Sequence, residues 1–150
     1  MANTYVQQRI HLVWATLNRQ DFLSKEYREP LWAYVGGIVR HHRGVLFASG
    51  GVEDHIHLYA EYPKTITLSQ FVSLIKSHSS KWLRESYPAL RGFHWQSGYA
   101  GFSVQRRGDE ALHEYIRSQE EHHRTVTFQE EYLKLLRRHK VDFDPRYVFG

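Results

Sequence analysis

Two periodicities take turns along this chain, and their order constrains the fold more than any other feature. Ile10, Leu12, Trp14 and Thr16 alternate with Arg9, His11, Val13 and Ala15, the period of two that gives a strand one apolar face. The period then changes. Leu31, Tyr34, Val35, Ile38, Val39 and His42 are spaced as one stripe of a helix. Pro30 suits its first turn, with Ser24 as an earlier cap, and Gly44 suits its end. Val45 to Ser49 and His55 to Glu61 read as the two strands of a hairpin, punctuated by Gly50 and Gly51. Leu68, Phe71, Val72, Ile75, His78 or Ser79, Trp82 and Leu83 form a second helical stripe, capped by Thr67 or Ser69 and stopped by Tyr87-Pro88. A loop rich in glycine and aromatics leads to a last strand over Phe102 to Gln105. Gly108-Asp109 opens a third helix with Leu112, Tyr115, Ile116, Gln119 and His123 on one side. A charged helical tail spans Phe128 to His139.

The first six elements, β α β β α β, predict an α+β fold, the ferredoxin-like split βαβ sandwich. Two helices cover one face of an antiparallel sheet. The other face is left for a ligand, a partner or the additional C-terminal helices, among them the helix bearing Tyr115. A chain of 150 residues suits a single domain over 1–150. Hydrophobic residues at 41% supply a core and argue against disorder. The formal charge of +4 favours a polyanionic partner. Cysteine is absent, which excludes disulfides, thiolate metal sites and cysteine nucleophiles and fits a cytoplasmic location. No apolar run reaches the roughly 18 residues of a spanning helix, and Met1 to Gln20 lacks the apolar segment of a signal peptide, so no membrane is expected.

The candidate chemistry lies in Asp54-His55-Ile56-His57-Leu58-Tyr59-Ala60. On a strand His55, His57, Tyr59 and Glu61 share one face, and the imidazoles of His55 and His57 stand roughly 7 Å apart at their Cα atoms. Converging rings bind one divalent ion; a bare pair of this kind is more often two half-exposed surface histidines. Tyr115 and Gln119, four residues apart, lie about 40° from each other around a helix. Spacing alone makes Tyr115 one more stripe residue beside Leu112 and Ile116. Gln119 is the odd member of that stripe, because an amide there needs a partner.

His55-Ile56-His57 after a glycine-containing hairpin resembles the histidine–hydrophobe–histidine (HUH) signature. Tyr115-Ile116-Arg117-Ser118-Gln119 resembles the Y-x-x-x-Q helix of single-tyrosine HUH transposases, the small insertion-sequence transposases and their REP-associated tyrosine transposase relatives. His11-Leu12-Val13-Trp14-Ala15-Thr16, Lys76-Ser77-His78-Ser79-Ser80-Lys81, Trp95-Gln96-Ser97-Gly98-Tyr99, Phe102-Ser103-Val104 and Gln119-Glu120-Glu121-His122-His123-Arg124 resemble the surrounding segments, so the likeness covers nearly the whole chain.

The resemblance implies a transposase that cuts and rejoins single-stranded DNA, with hairpin ends of a mobile element as its substrate. It implies His55, His57 and Gln119 as ligands of Mg²⁺ or Mn²⁺, imidazole leaning toward Mn²⁺. It implies Tyr115 as the nucleophile that forms a 5′-phosphotyrosine and releases a 3′-OH. A tyrosine hydroxyl titrates near a pH of about 10, so such a nucleophile needs help, and no general base stands in the motif. Asp54 and Glu61 are its only carboxylates, and neither is assigned as a ligand. The resemblance also implies a homodimer in which the tyrosine helix of one subunit completes the other's site, with Arg106-Arg107-Gly108-Asp109 as the hinge. Lys76, Lys81, Arg84, Arg106 and Arg107 are candidate phosphate contacts, and Trp95 and Tyr99 candidate stacking platforms. His11 is expected behind the metal ligands. Tyr132, seventeen residues beyond Tyr115, is not read as a second nucleophile. The alternative is a non-catalytic or domesticated ferredoxin-like protein that binds nucleic acid at palindromic repeats.

Overall fold

The computed structural model describes residues 3–150. Its sheet has four strands, β1 (Arg9–Ala15), β2 (Val45–Gly51), β3 (His55–Glu61) and β4 (Ala100–Ser103), in the order β2-β3-β1-β4 with every neighbouring pair antiparallel. α1 (Lys25–His41) connects β1 to β2 around β3, and α2 (Leu68–Ser86) connects β3 to β4 around β1. These are two interlocked split βαβ units, the ferredoxin-like arrangement expected from the alternation of periods.

Period two decides what each face carries. Ile10, Leu12 and Trp14 of β1 and Ile56, Leu58 and Ala60 of β3 point one way and pack under Leu31, Val35 and Val39 of α1 and Phe71, Val72 and Ile75 of α2. Full burial of each large apolar side chain contributes roughly 1.5–3 kcal/mol. The other face receives three more helices, α3 (Asp109–Arg117), α4 (Gln119–His122) and α5 (Phe128–Arg138). There Phe128, Tyr132, Leu135 and Leu136 close over Val13, Ala15, Ala100 and Phe102 as a second apolar core. Tyr132 is thus a packing residue, and burial pushes its hydroxyl up to about 12.

Several boundaries differ from expectation for local reasons. Of the two starts offered for α1 the earlier one holds, after Ser24, so Pro30 lies inside the helix rather than in its first turn. At its end Arg43, not Gly44, adopts the left-handed conformation, with φ 65°. Gly44 is required by proximity instead: a Cβ there would lie 2.8 Å from the Glu61 carbonyl oxygen. β2 runs through Gly50 and Gly51 rather than stopping before them. β4 begins two residues earlier than expected, at Ala100. α2 opens on a full capping box, in which Thr67 accepts from the Gln70 backbone N–H and Gln70 accepts from that of Thr67. The single helix expected across Tyr115 and Gln119 is interrupted at Ser118, whose hydroxyl turns back to the carbonyls of Glu114 and Tyr115.

α3 is fixed to the sheet at both ends. Arg9 and Tyr59 each donate to Asp109 Oδ1, at 3.3 and 2.7 Å. At the other end Ile116 lies directly over Gly50. Arg28, a buried residue of α1, ties down α4 through Glu120 at 2.9 Å while also pairing with Glu53 at 2.9 Å. No helix of the described residues is long and apolar enough to cross a membrane.

A histidine, glutamine and tyrosine site closed by Glu131

β3 presents His55 and His57 on the face opposite the main core, and both are fully buried beneath the added helices. Each ring is held from behind. His55 Nδ1–H donates to Asp54 Oδ1 at 2.7 Å, and His57 Nδ1 meets His11 Nε2 at 2.8 Å. His11 reaches His57 because β1 and β3 are neighbours. Both Nε2 atoms are thereby turned to one point, and such outer partners set the orientation and basicity of ligating imidazoles.

Gln119 arrives from the start of α4. Its amide N–H group donates to the Tyr115 carbonyl and to Glu131 Oε2, both at 3.2 Å, which aims Oε1 at His55 Nε2, 3.2 Å away. The break at Ser118 therefore does not separate the two residues; the amide bridges it. Tyr115 stands against His57, with ring centroids 5.6 Å apart, and against His11 at 6.1 Å. His55, His57, Tyr115 and Gln119 thus meet in one place within one chain, so exchange of a helix between subunits is not required to bring a tyrosine to the histidine pair.

The centre of this arrangement is a residue that the sequence reading passed over. Glu131, from α5, is buried, and its Oε1 lies 3.0 Å from Nε2 of His57, 3.0 Å from Nε2 of His123 and 3.3 Å from Nε2 of His55. Its Oε2 accepts the hydroxyl of Tyr115 and lies 3.4 Å from His122 Nε2. The signal was present. Phe128, Glu131, Tyr132 and Leu135 follow i, i+3, i+4, i+7, so a carboxylate sits inside an apolar stripe, as anomalous there as Gln119 in its own. Of the carboxylates in the strand motif, Asp54 supports His55 from behind.

The electrostatics follow from these contacts. Burial raises the Glu131 carboxyl, but the imidazoles of His57, His123 and His55 more than reverse this and hold it far below the usual carboxylate range. Burial opposes a charge on His55, yet the carboxylates of Asp54 and Glu131 raise it to about 9. His57 faces the same Glu131 but is lowered, because it is buried without a carboxylate behind it and stands beside His55 and His123. Burial and then the neighbouring His57 hold His11 well below its ordinary value. Burial and the charge of Glu131 push Tyr115 up. Glu131 thus restrains the Tyr115 proton rather than removing it, since the carboxylate is made a weaker base and the phenol a weaker acid together.

The donor set fits a divalent cation. Nδ1 of His55 is committed outward to a carboxylate, which leaves its Nε2 inward, facing the oxygens of Gln119 and Glu131. Oxygens gathered on that nitrogen in a buried site favour a positive centre, a proton on His55 in the metal-free chain or a cation that displaces it. Imidazole nitrogens with carboxylate and amide oxygens suit Mn²⁺ and Zn²⁺, and with added water also Mg²⁺.

The expected DNA contacts fare differently. Arg106 and Arg107 are exposed just before α3. They line a surface hollow with Arg9, Phe47, Asp109, Glu110 and His113. Lys81 is exposed, 4.0 Å from Glu85. Lys76 is instead turned inward: its ammonium donates to the carbonyls of Gln96, Ser97 and Gly98 at 2.8, 3.2 and 2.6 Å and lies over the rings of Trp14 and Tyr99. Arg84 is half-buried and donates to the Phe93 carbonyl at 3.1 Å. Trp95 is not a surface platform. It is 8% exposed, stacked edge-on to Trp14 and Phe93, with its indole N–H donating to Ser79. Tyr99, half-buried, keeps an accessible edge in the groove beside α2.

A family model described as IS200-like transposase matches residues 4–119. That span contains His55, His57, Tyr115 and Gln119 and stops short of His123 and Glu131. No curated protein matches the chain significantly. Among solved structures, a candidate transposase from Deinococcus radiodurans R1 is similar with 24% identity and a TM-score of 0.65, over 79% of this chain and 96% of that one. A REP-associated tyrosine transposase bound to a REP hairpin is similar with 15% identity and a TM-score of 0.57, over 79% of this chain and 70% of that one. Both share the fold. With the family match spanning the sheet, α1, α2 and the tyrosine helix, the chain belongs to the IS200-like transposase family.

Proposed function

We propose that this transposase cleaves and rejoins single-stranded DNA through Tyr115, using His55, His57 and Gln119 to hold Mg²⁺ or Mn²⁺. The observation that carries the reading is the convergence of those four side chains in one site within one chain. Tyr115 oxygen attacks the scissile phosphorus. The bond from phosphorus to the 3′ oxygen breaks, the 3′-OH leaves with a proton, and the 5′ phosphate remains on Tyr115. Rejoining is the same exchange with an incoming 3′-OH, so no energy source is needed. The bound ion supplies Lewis-acid polarisation of the phosphate and stabilises the developing charge. His11 and Asp54 keep the two imidazoles aimed, and Gln119 keeps its oxygen toward them through the Tyr115 carbonyl. Glu131 must withdraw before a phosphate reaches the hydroxyl it holds.

The DNA path runs past Tyr115. A cleft of about 350 Å³ opens beside it, lined by His11, Phe102, Gln105, Leu112 and Arg138, and it accommodates a nucleotide next to the scissile bond. Arg106 and Arg107 take backbone phosphates, and Lys81 and Tyr99 extend the surface. The natural substrate is a hairpin end of a mobile element in the cytoplasm. A homodimer is the expected assembly, with each active site built from one chain.

The test is covalent capture. Labelled single-stranded hairpin DNA and Mn²⁺ are incubated with the protein, and a denaturant-resistant adduct is expected that Tyr115→Phe abolishes. Salt-sensitive binding without an adduct overturns the catalytic reading in favour of a non-catalytic binding protein.

A further inference from the structure

We propose that His123 and Glu131 close the His55–His57 pair into a four-donor site for a zinc-class divalent ion, and that an ion held there fastens α5 over Tyr115. One donor atom from each of the four residues lies within 4.8 Å of all the others. A tetrahedral ion with bonds of about 2.0–2.1 Å requires edges of roughly 3.3 Å between its ligand atoms. Three edges are already close to that length, the 3.0, 3.0 and 3.3 Å separations of Glu131 Oε1 from the three Nε2 atoms.

The ring nitrogens also point the right way. His123 Nδ1–H donates to the Val126 carbonyl at 2.6 Å, which turns its Nε2 toward the Glu131 oxygen, as Asp54 turns Nε2 of His55. Four protein donors leave no open position, the feature that separates closed zinc sites from catalytic ones, although here the donors are imidazoles and a carboxylate rather than thiolates. Two of the four ligands come from beyond the family-matched span 4–119, so this site is distinct in composition from the His55, His57 and Gln119 set. It also has a mechanical consequence. The ligands lie on β3, after α4 and on α5, so an ion bridging them ties the added helices to the sheet while Glu131 Oε2 still holds the Tyr115 hydroxyl.

The regulatory half of this inference rests on Tyr115 being the nucleophile; the metal site does not. The experiment therefore has two readouts. The full chain, stripped with a chelator, is titrated with Co²⁺ as a spectroscopic stand-in for Zn²⁺. The expected result is one equivalent of Co²⁺ with the intense visible bands of four-coordination, displaced by one equivalent of Zn²⁺. His123→Ala and the isosteric Glu131→Gln, each checked for folding by circular dichroism, reduce the bands to the weak six-coordinate type. Each also weakens Zn²⁺ binding by more than the roughly 10- to 100-fold that loss of an outer partner costs. Weak bands in the parent chain, or intense bands that survive His123→Ala, overturn the site. In the second readout, Zn²⁺ suppresses Mn²⁺-driven adduct formation in the parent chain and much less in Glu131→Gln. Equal suppression in both overturns the fastening of α5. Absence of any adduct refutes the catalytic reading and the fastening with it, while the cobalt bands still decide the site.

Discussion

Gly50 lies so close beneath Ile116 that a Cβ at position 50 would stand 2.3 Å from the Ile116 carbonyl oxygen. The contact is backbone on backbone, one residue from Tyr115, and it sets the height of α3 above β2. Gly50→Ala is expected to lift this end of α3, lowering stability by about 1–3 kcal/mol and reducing adduct formation more than it reduces DNA binding. Urea unfolding and the covalent assay, run side by side, measure the two effects.

Ser79 illustrates a different kind of dependence. Its hydroxyl is the acceptor for the buried indole N–H of Trp95. Ser79→Ala leaves that donor unpaired in the core and is expected to cost about 1–3 kcal/mol, with little change in DNA affinity. A loss of affinity larger than the loss of stability explains would contradict the placement of Trp95 as a packing residue.

Lys76 carries a pH dependence whose sign follows from the burial of its ammonium. Burial lowers its ammonium from the ordinary lysine value to about 8. Between that value and the ordinary one, near a pH of about 10.4, the unfolded chain holds the proton more tightly than the folded one. Stability therefore rises with pH across this window. The parent chain is expected to gain on Lys76→Met as pH increases from 8 toward 10, read as the difference in urea midpoints; a constant difference would contradict the shift.

Arg106 and Arg107 are exposed, so their contribution to DNA binding is read through salt. Replacing both with Ala is expected to flatten the plot of log affinity against log salt by about 1.4, roughly 0.7 for each phosphate contact to a single strand. An unchanged slope removes them from the DNA path.

Glu131 lies against three imidazole nitrogens, and deleting it in the chelated protein removes one of the two carboxylates that balance the charge on buried His55. Glu131→Ala is expected to lower stability by about 3–5 kcal/mol in the metal-free protein. Thermal unfolding in excess chelator checks it.

The sheet was legible because strand and helix periods alternate cleanly: Ile10, Leu12 and Trp14 announce one face, and the stripes of α1 and α2 announce what covers it. His55, His57, Tyr115 and Gln119 were singled out through the resemblance of their motifs, since spacing alone left Tyr115 an ordinary stripe residue and the histidines a surface pair. His11 was legible as a neighbour once β1 and β3 were paired. Glu131 shows in the sequence only as a carboxylate inside the apolar stripe of α5; that it meets the histidines depends on the turn after α4, which no local pattern encodes. Lys76 and Trp95 were misplaced for a related reason. A basic or aromatic residue near a glycine-rich loop looks the same in sequence whether it faces DNA or holds the loop, and only the positions of the Gln96, Ser97 and Gly98 carbonyls and of Ser79 decide between them.

Phe128 and Tyr132 flank Glu131 on α5, and both are buried against the sheet. The carboxylate therefore does not leave alone: a displacement large enough to free the tyrosine strips oily surface from Val13, Ala15, Ala100 and Phe102. Unlatching thus resembles a small local melting, opposed by water as well as by charge. Agents that solvate hydrocarbon, such as urea well below the unfolding midpoint, or moderate cooling, shift that balance toward the unlatched form, so turnover and rigidity are set against each other by a single helix.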